Sequence, residues 1–325
     1  MTFDRLQPYN DLPLLPPAAE LETKAVLKEA IEANRMLANL RGLAAQIPNQ
    51  GVLINSIVLQ EARLSSEIEN IVTTNDELYR ADAHADGATD AHTKEVLRYR
   101  EALKFGFDAL KNRPLTTNLF VDMVRIIKQQ DIGVRRTVGT ALKDAAGEVV
   151  YTPPVGEALL RDKLTNLEQF IHADDGLDPL VKMAVQHYQF EAIHPFDDGN
   201  GRTGRILNLL YLVQAGLLDI PVLFLSRYIM ANKAAYYAGL RAVTEQQAWE
   251  PWLLYMLRGV TSTAQQTFEQ VTRIRGLMEE VRARVQRDAP GIYSKDLIEV
   301  IFRHPYTKIQ FLVDAGLAKR QTASA

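Results

Sequence analysis

A mostly α-helical fold carrying one small β-hairpin is what the sequence predicts, on three observations. Apolar residues recur three and four apart through most of the chain, as in Leu53, Ile57, Leu64, Ile68 and Ile71, which predict a helix over about 52–72. Start signals precede such stretches: Asp178 is a natural N-cap before Pro179, and Leu180, Ala184, Tyr188 and Ala192 follow four apart. Only residues 137–153 depart from the helical period. There, Thr and Val flank Asp144-Ala-Ala-Gly147, the pattern of two short strands and a turn.

Taken in order, residues 1–19 hold Pro8, Pro13, Pro16 and Pro17 and read as an extended arm that wraps or dangles. After the helix at about 52–72, the polar stretch 73–90 reads as a loop. Helices follow at about 89–112, ending before Pro114, and at about 116–130. The hairpin at 137–153 is stopped by Thr152-Pro153-Pro154. Helices resume at about 157–172, 179–193, 201–216, 226–246 and 249–286. A break at Asp288-Ala-Pro-Gly291 then precedes two short helices. The expected division is an N-terminal helical region over 1–112, a core over 113–286 and a small module over 290–325. No internal repeat is visible.

Composition bounds the function classes. With 325 residues, 47% hydrophobic and 24% charged, the chain is an ordinary globular one, long enough for two domains. A formal net charge of -3 argues against binding nucleic acid over the whole surface. The end is locally basic, with ten Lys/Arg against six Asp/Glu from residue 271 onward. The absence of cysteine excludes disulfides, thiolate zinc sites and a cysteine nucleophile. There is no basic start with an apolar core of the signal-peptide kind, and no run of about 18 apolar residues. A cytoplasmic, soluble protein is therefore expected.

The chemistry concentrates in His194-Pro-Phe-Asp-Asp-Gly-Asn-Gly-Arg-Thr-Gly-Arg205. Pro195 disfavours helical geometry at His194, so the preceding helix should end there. Gly199-Asn200-Gly201 permits positive φ, and its backbone N–H groups opening a helix make a nest for an anion. Arg202 and Arg205 share a face in the first turn of the new helix, against the macrodipole. Two guanidiniums there suit a polyphosphate. Asp198 beside that nest would repel bare phosphate unless a divalent cation such as Mg²⁺ bridged them. His194 has the pKa range to accept a proton from a hydroxyl. A capped, glycine-rich turn with surface charges is the bland alternative, and it explains each residue separately but not the set. Neither a P-loop nor a dinucleotide-binding glycine pattern is present.

This segment resembles the Fic family signature HxFx[D/E]GNGRxxR at every specified position. The resemblance implies a Fic-type helical core with a β-hairpin flap, and protein adenylyltransferase activity that moves AMP from ATP to a Ser, Thr or Tyr hydroxyl of a target. It implies His194 as general base, Phe196 as a core anchor and Asp198 as the Mg²⁺ ligand. Gly199, Asn200 and Gly201 would form the anion hole, and Arg202 and Arg205 would hold the β- and γ-phosphates. The hairpin resembles the flap that aligns a target segment by strand addition, with Val149, Val150, Tyr151 and Thr152 as its target-binding stretch. Residues 226–237 resemble the helix beside the adenine pocket, where Tyr228, Asn232 and Tyr236 fall four apart; packing in an aromatic core is the alternative for each.

Ser65-Ser66-Glu67-Ile68-Glu69-Asn70 resembles the family's inhibitory motif [S/T]xxxE[G/N]. Here Glu69 would hold Arg205 away from the γ-phosphate, with Ser65 opening the motif. The same glutamate is consistent with the reverse reaction, removal of AMP. Residues 294–324 resemble the first helices of a winged helix-turn-helix, but the recognition helix has only begun at the last residue. DNA binding is therefore doubtful, and a docking or dimerisation module fits equally. A homodimer is among the partners the family suggests. A nucleotide-sensing transcriptional regulator is the alternative of another class, and the intact His194 speaks against it.

Overall fold

The computed structural model describes residues 3–47, 49–83, 90–304 and 306–324. Fifteen α-helices and one two-stranded hairpin are found among them. The first helix, α1 (Lys24–Ala44), was not among the expected elements. Thr23 caps it, and Val26, Ala30, Ala33, Leu37 and Leu40 are buried along one face. It packs along the 40-residue α12 (Trp249–Asp288), so the two ends of the chain form one layer of the body. Its alternation of Ala with long polar residues keeps the amphipathic signal weak.

The helix expected over 52–72 is three segments. α2 (Gly51–Leu53) runs into a π-helical turn (Ile54–Val58) and then α3 (Leu59–Ile68). Such π turns often mark functional segments. Glu69 forms the C-cap of α3, and Asn70 reverses the chain with φ 64°. The stretch expected as a loop holds a helix, α4 (Asn75–Ala83); the rest of that loop, 84–89, lies outside the described residues. Thr74 explains the error, since its hydroxyl accepts from Glu77 N–H and starts a helix that the polar composition conceals. α5 (Ala91–Ala109) and α6 (Thr117–Lys128) follow as expected, each capped by an Asp or Thr side chain.

The hairpin is shorter than its sequence suggests. β1 (Leu142–Lys143) pairs antiparallel with β2 (Val149–Tyr151) through an irregular register, Leu142 opposite Tyr151 and Lys143 opposite Val149. The Asp144 carboxylate accepts from Ala146 and Glu148 N–H to close the turn. The proline-rich arm wraps the body, with Leu12, Leu15 and Leu21 buried.

α7 (Glu157–His172), α8 (Pro179–Ile193) and α9 (Asn200–Gln214) build the centre. α8 and α9 are buried nearly all round. The helix expected over 226–246 is two, α10 (Leu225–Ala231) and α11 (Lys233–Gln246), broken at Asn232. After α12 come α13 (Lys295–Phe302), α14 (Ile309–Asp314) and α15 (Arg320–Ser324). Among the described residues, no helix is long and apolar enough to cross a membrane.

Candidate active site

The loop between α8 and α9 carries the signature, and its backbone is held in unusual geometry. α8 ends at Ile193, and His194 takes the left-handed conformation at φ 49°, ψ 60°, its N–H bonded to Phe190 O. A non-glycine residue there is strained and must be held by its surroundings. Phe196 is fully buried against Phe190, as expected of an anchor. Gly199 stands at φ 84° directly before α9.

His194 presents a half-buried ring whose Nδ1 is itself buried. Burial, helped by the nearby Arg135 charge, lowers its pKa to about 4. The ring is thus neutral at physiological pH, which is the form that accepts a proton.

The two signature arginines are 1% and 2% exposed, and carboxylates satisfy both. Arg205 donates from Nε to Ser65 Oγ (2.6 Å) and from Nη2 to Ser65 O and to Glu69 Oε1 (both 2.8 Å). Glu69 also engages Arg202, whose Nε lies 2.8 Å from Oε2. Glu69 therefore bridges both arginines, where the sequence reading paired it with Arg205 alone. Gly201 makes room for this: a Cβ there would lie 2.6 Å from Glu69 Oε1 and 2.8 Å from Arg205 Nη1. Burial acts to lower the Arg205 pKa, but Glu69 together with Tyr236, Glu191 and Tyr99 outweighs it and the guanidinium is held above its usual range. Lys233 Nζ donates to Ile68 O (2.6 Å), fixing the helix end that carries Glu69.

Two more charged residues join the cluster, and neither was anticipated. Glu95 of α5 accepts from Arg202 Nη1 (2.6 Å) and from Lys128 Nζ (3.0 Å). Lys128, the last residue of α6, also lies 2.5 Å from Asp198 Oδ2. Burial acts to raise the Asp198 pKa, but the Lys128 ammonium and Arg202 overcome it and leave the carboxyl below its usual range. Three cations thus face three carboxylates, Glu69, Glu95 and Asp198. Within these ion pairs the charges balance with Glu69 in place and leave one net positive charge without it; the buried Glu191 carboxyl, raised by burial to about 7, also acts on Arg205.

Other expected roles are redistributed. Asn200 spends its side chain on the loop itself, accepting from Phe196 N–H (2.8 Å) and donating to Phe196 O (2.7 Å). Only its backbone is left for an anion. Tyr236 is a correction: it is 2% exposed, and its hydroxyl bonds His187 Nε2 (2.8 Å) beside Trp252. Spacing by four places residues on one face without saying that the face is the core. Tyr228 packs on Tyr255, and the exposed Asn232 donates to Tyr228 O. Tyr237, which the sequence reading passed over, is partly exposed, and burial of its hydroxyl raises its pKa against the opposing Arg205 charge.

On the hairpin, Tyr151 and Thr152 are already engaged. The Tyr151 hydroxyl donates to Ala192 O (2.8 Å), while Thr152 donates to Arg5 O (2.7 Å) and accepts from Tyr9 N–H (2.9 Å). Val149 and Val150 remain half-buried. A groove of about 220 Å³ lies beside them, between Leu6 and Pro8 of the arm and Thr140, Ala141 and Pro153 of the hairpin.

Comparison with known proteins agrees with this architecture. Three family models match: "Fic/DOC family N-terminal" over residues 27–108, "Fic/DOC family" over 114–212, and "Protein adenylyltransferase SoFic-like, C-terminal domain" over 277–325. Among curated relatives, the protein adenylyltransferase fic-1 of Caenorhabditis briggsae is 30% identical over 117 residues, covering 33% of this chain and 22% of the relative. A probable protein adenylyltransferase of Aquifex aeolicus is 38% identical over 85 residues, 26% of each chain. The chain thus spans about a quarter of the length of these relatives. A Fic family protein from Desulfovibrio desulfuricans superimposes with TM-score 0.64 at 21% identity, covering 94% of this chain and 88% of the other. A Fic-domain signalling protein from Bacteroides thetaiotaomicron gives TM-score 0.60 at 19% identity, covering 74% and 97%.

Proposed function

Since the chain belongs to the Fic/DOC family, we propose that it is a protein adenylyltransferase, transferring AMP from ATP to a hydroxyl of a target protein and restrained by Glu69. The observation that carries the reading is the Glu69 bridge. Two buried arginines beside a helix-opening backbone nest and a neutral histidine are held by one carboxylate that could be withdrawn. A polyphosphate would supply the charge that Glu69 now supplies.

In the active form, Arg202 and Arg205 hold the β- and γ-phosphates while the N–H groups opening α9 receive a phosphate oxygen. His194 takes the proton from the target hydroxyl, whose oxygen attacks the α-phosphorus; the bond to the β-phosphate oxygen breaks and pyrophosphate leaves. Asp198 is the residue fitted to hold Mg²⁺. Its carboxylate is 56% exposed at the nest, and no cluster of three ligating side chains occurs among the described residues. A metal there would rest on this one carboxylate plus phosphate oxygens, neutralising charge on the leaving group. Lys128 would give up Asp198 and keep Glu95.

Glu69 also favours a second reading, removal of AMP from a modified target, because a carboxylate at this place can orient a water. The products separate the two. Intact-mass spectrometry after incubation with MgATP should show one AMP added in Glu69→Gly and none in the same variant carrying His194→Ala. Wild-type protein that instead strips AMP from a modified target, with that activity lost in Glu69→Gly, would move the assignment to the reverse reaction.

A further inference from the structure

We propose that Arg135 is a positioning residue that ties the exit of the target-docking hairpin to the backbone of His194. The inference rests on the reading of His194 as the general base.

Arg135 precedes the hairpin in a segment without regular structure, yet it is 2% exposed. No carboxylate of the described residues makes an ion pair with it; its donors go to backbone carbonyls. Nε bonds His194 O at 2.7 Å, Nη2 bonds Pro154 O, and Nη2 also reaches Ile193 O at 3.4 Å. Its backbone N–H bonds Pro195 O at 2.9 Å. Three consecutive carbonyls, from Ile193, His194 and Pro195, thus turn to this one residue. A buried charge with no ion partner is costly, so what it holds must offset that cost.

What it holds is the strained point of the site. His194 stays left-handed only while the carbonyls around it are fixed, and a planar fork with several donors does this where a single ammonium cannot. The same guanidinium binds the carbonyl of Pro154 at the hairpin exit and lines the groove beside Val149 and Thr152. A target strand that moves residues 149–154 therefore pulls on the group that sets the base. The charge has a second effect. The groups acting on the His194 ring are Arg135, the Glu191 carbonyl of α8, Glu69 at the end of α3, and Asp198 of its own loop; after burial, Arg135 does most to keep the ring neutral.

The test uses the full chain in the Glu69→Gly background, with Arg135→Lys and Arg135→Gln. Both should lower kcat by roughly 10- to 100-fold, the scale of a small misplacement of a reacting group. KM for MgATP should stay within about twofold, because the phosphate ligands are untouched. Arg135→Gln should also move the acid limb of kcat to higher pH, since removing a positive charge raises the His194 pKa; Arg135→Lys should move it less. A folded Arg135→Gln with the parent's kcat and pH profile would overturn the proposal, as would an Arg135→Lys whose loss falls on MgATP binding. If Arg135→Gln does not fold, Arg135→Lys decides by the split between kcat and KM. His194→Ala in the same background separates the premise: if it keeps full activity, the base assignment fails whatever Arg135 does.

Discussion

The signature loop and the hairpin lie side by side and are built in opposite ways. The loop is overdetermined: Phe196 and the two arginines are buried, Asn200 is spent on the loop backbone, and Arg135 fixes three successive carbonyls. The hairpin has strands of two and three residues, an irregular register and an exposed turn. It is pinned at its exit by Tyr151, Thr152 and Arg135, and at its entry by Thr137, whose hydroxyl donates to Asp197 of the signature loop. The lesson is a division of labour. On the proposed function, phosphate geometry must be the same in every turnover and is set by packing, whereas a strand-docking edge needs only main-chain groups and tolerates slack.

The largest expected effect tests that division directly. His194→Ala in the Glu69→Gly background should lower AMP transfer by roughly 10²- to 10⁴-fold, the usual worth of a general base. Val150→Ala on the hairpin should leave kcat near the parent value and act on KM for the target. Equal losses in kcat from both would erase the distinction. Steady-state kinetics with a hydroxyl-bearing target reads both.

Second in size is the charge balance. Glu69→Gly leaves two buried guanidiniums short of a counter-charge and should lower unfolding stability by about 1–3 kcal/mol, with Glu95 and Ser65 limiting the damage. MgATP at about 100 times its Kd should restore about 2.7 kcal/mol. Wild type should gain less, because Glu69 competes for the same groups. Thermal melts with and without nucleotide check this, and identical nucleotide shifts in the two proteins would contradict it.

The pH profile comes next. His194 must be unprotonated to accept a proton, and its pKa lies near 4. The kcat of Glu69→Gly should therefore be flat through neutrality and fall only as pH drops toward that value. A fall already centred between pH 6 and 7, the range of an ordinary imidazole, would show that burial and Arg135 do not hold the ring neutral.

The smallest effect isolates packing from backbone strain. Gly199 in the loop and Gly147 in the hairpin turn have nearly the same φ, 84° and 83°. A Cβ at Gly199 would lie 3.0 Å from Val124 Cγ2, whereas Gly147 has open space. Alanine should cost about 1–2 kcal/mol at both for the left-handed backbone, with about 1 kcal/mol or more added at Gly199 for the contact. Chemical denaturation of the two variants gives the difference, and equal costs would mean that the loop is no tighter than the turn.

The site was legible in the sequence where its residues are contiguous, and obscure where they converge. His194 to Arg205 could be read because one loop must supply a stop, a nest and two cations within a dozen residues. Glu69 was found through its resemblance to a motif, but its grip on Arg202 was not, since nothing local encodes which guanidinium a carboxylate reaches. Glu95, Lys128 and Arg135 come from three separate elements and look like ordinary surface charges in sequence. Tyr236 shows the converse error, an aromatic at helical spacing that belongs to the core. In the fold, α4 was hidden by polar composition and α1 by its alanines, because weak amphipathicity gains meaning only from a partner such as α12.

The most direct measurement is the initial rate of AMP incorporation with MgATP in wild type and Glu69→Gly, side by side under identical conditions. Release of both arginines predicts a rate at least tenfold higher in the variant, since a single hydrogen bond to a charged group contributes about 1.5–3 kcal/mol. Equal rates, with nucleotide bound in both proteins, would contradict the claim that Glu69 holds the site closed.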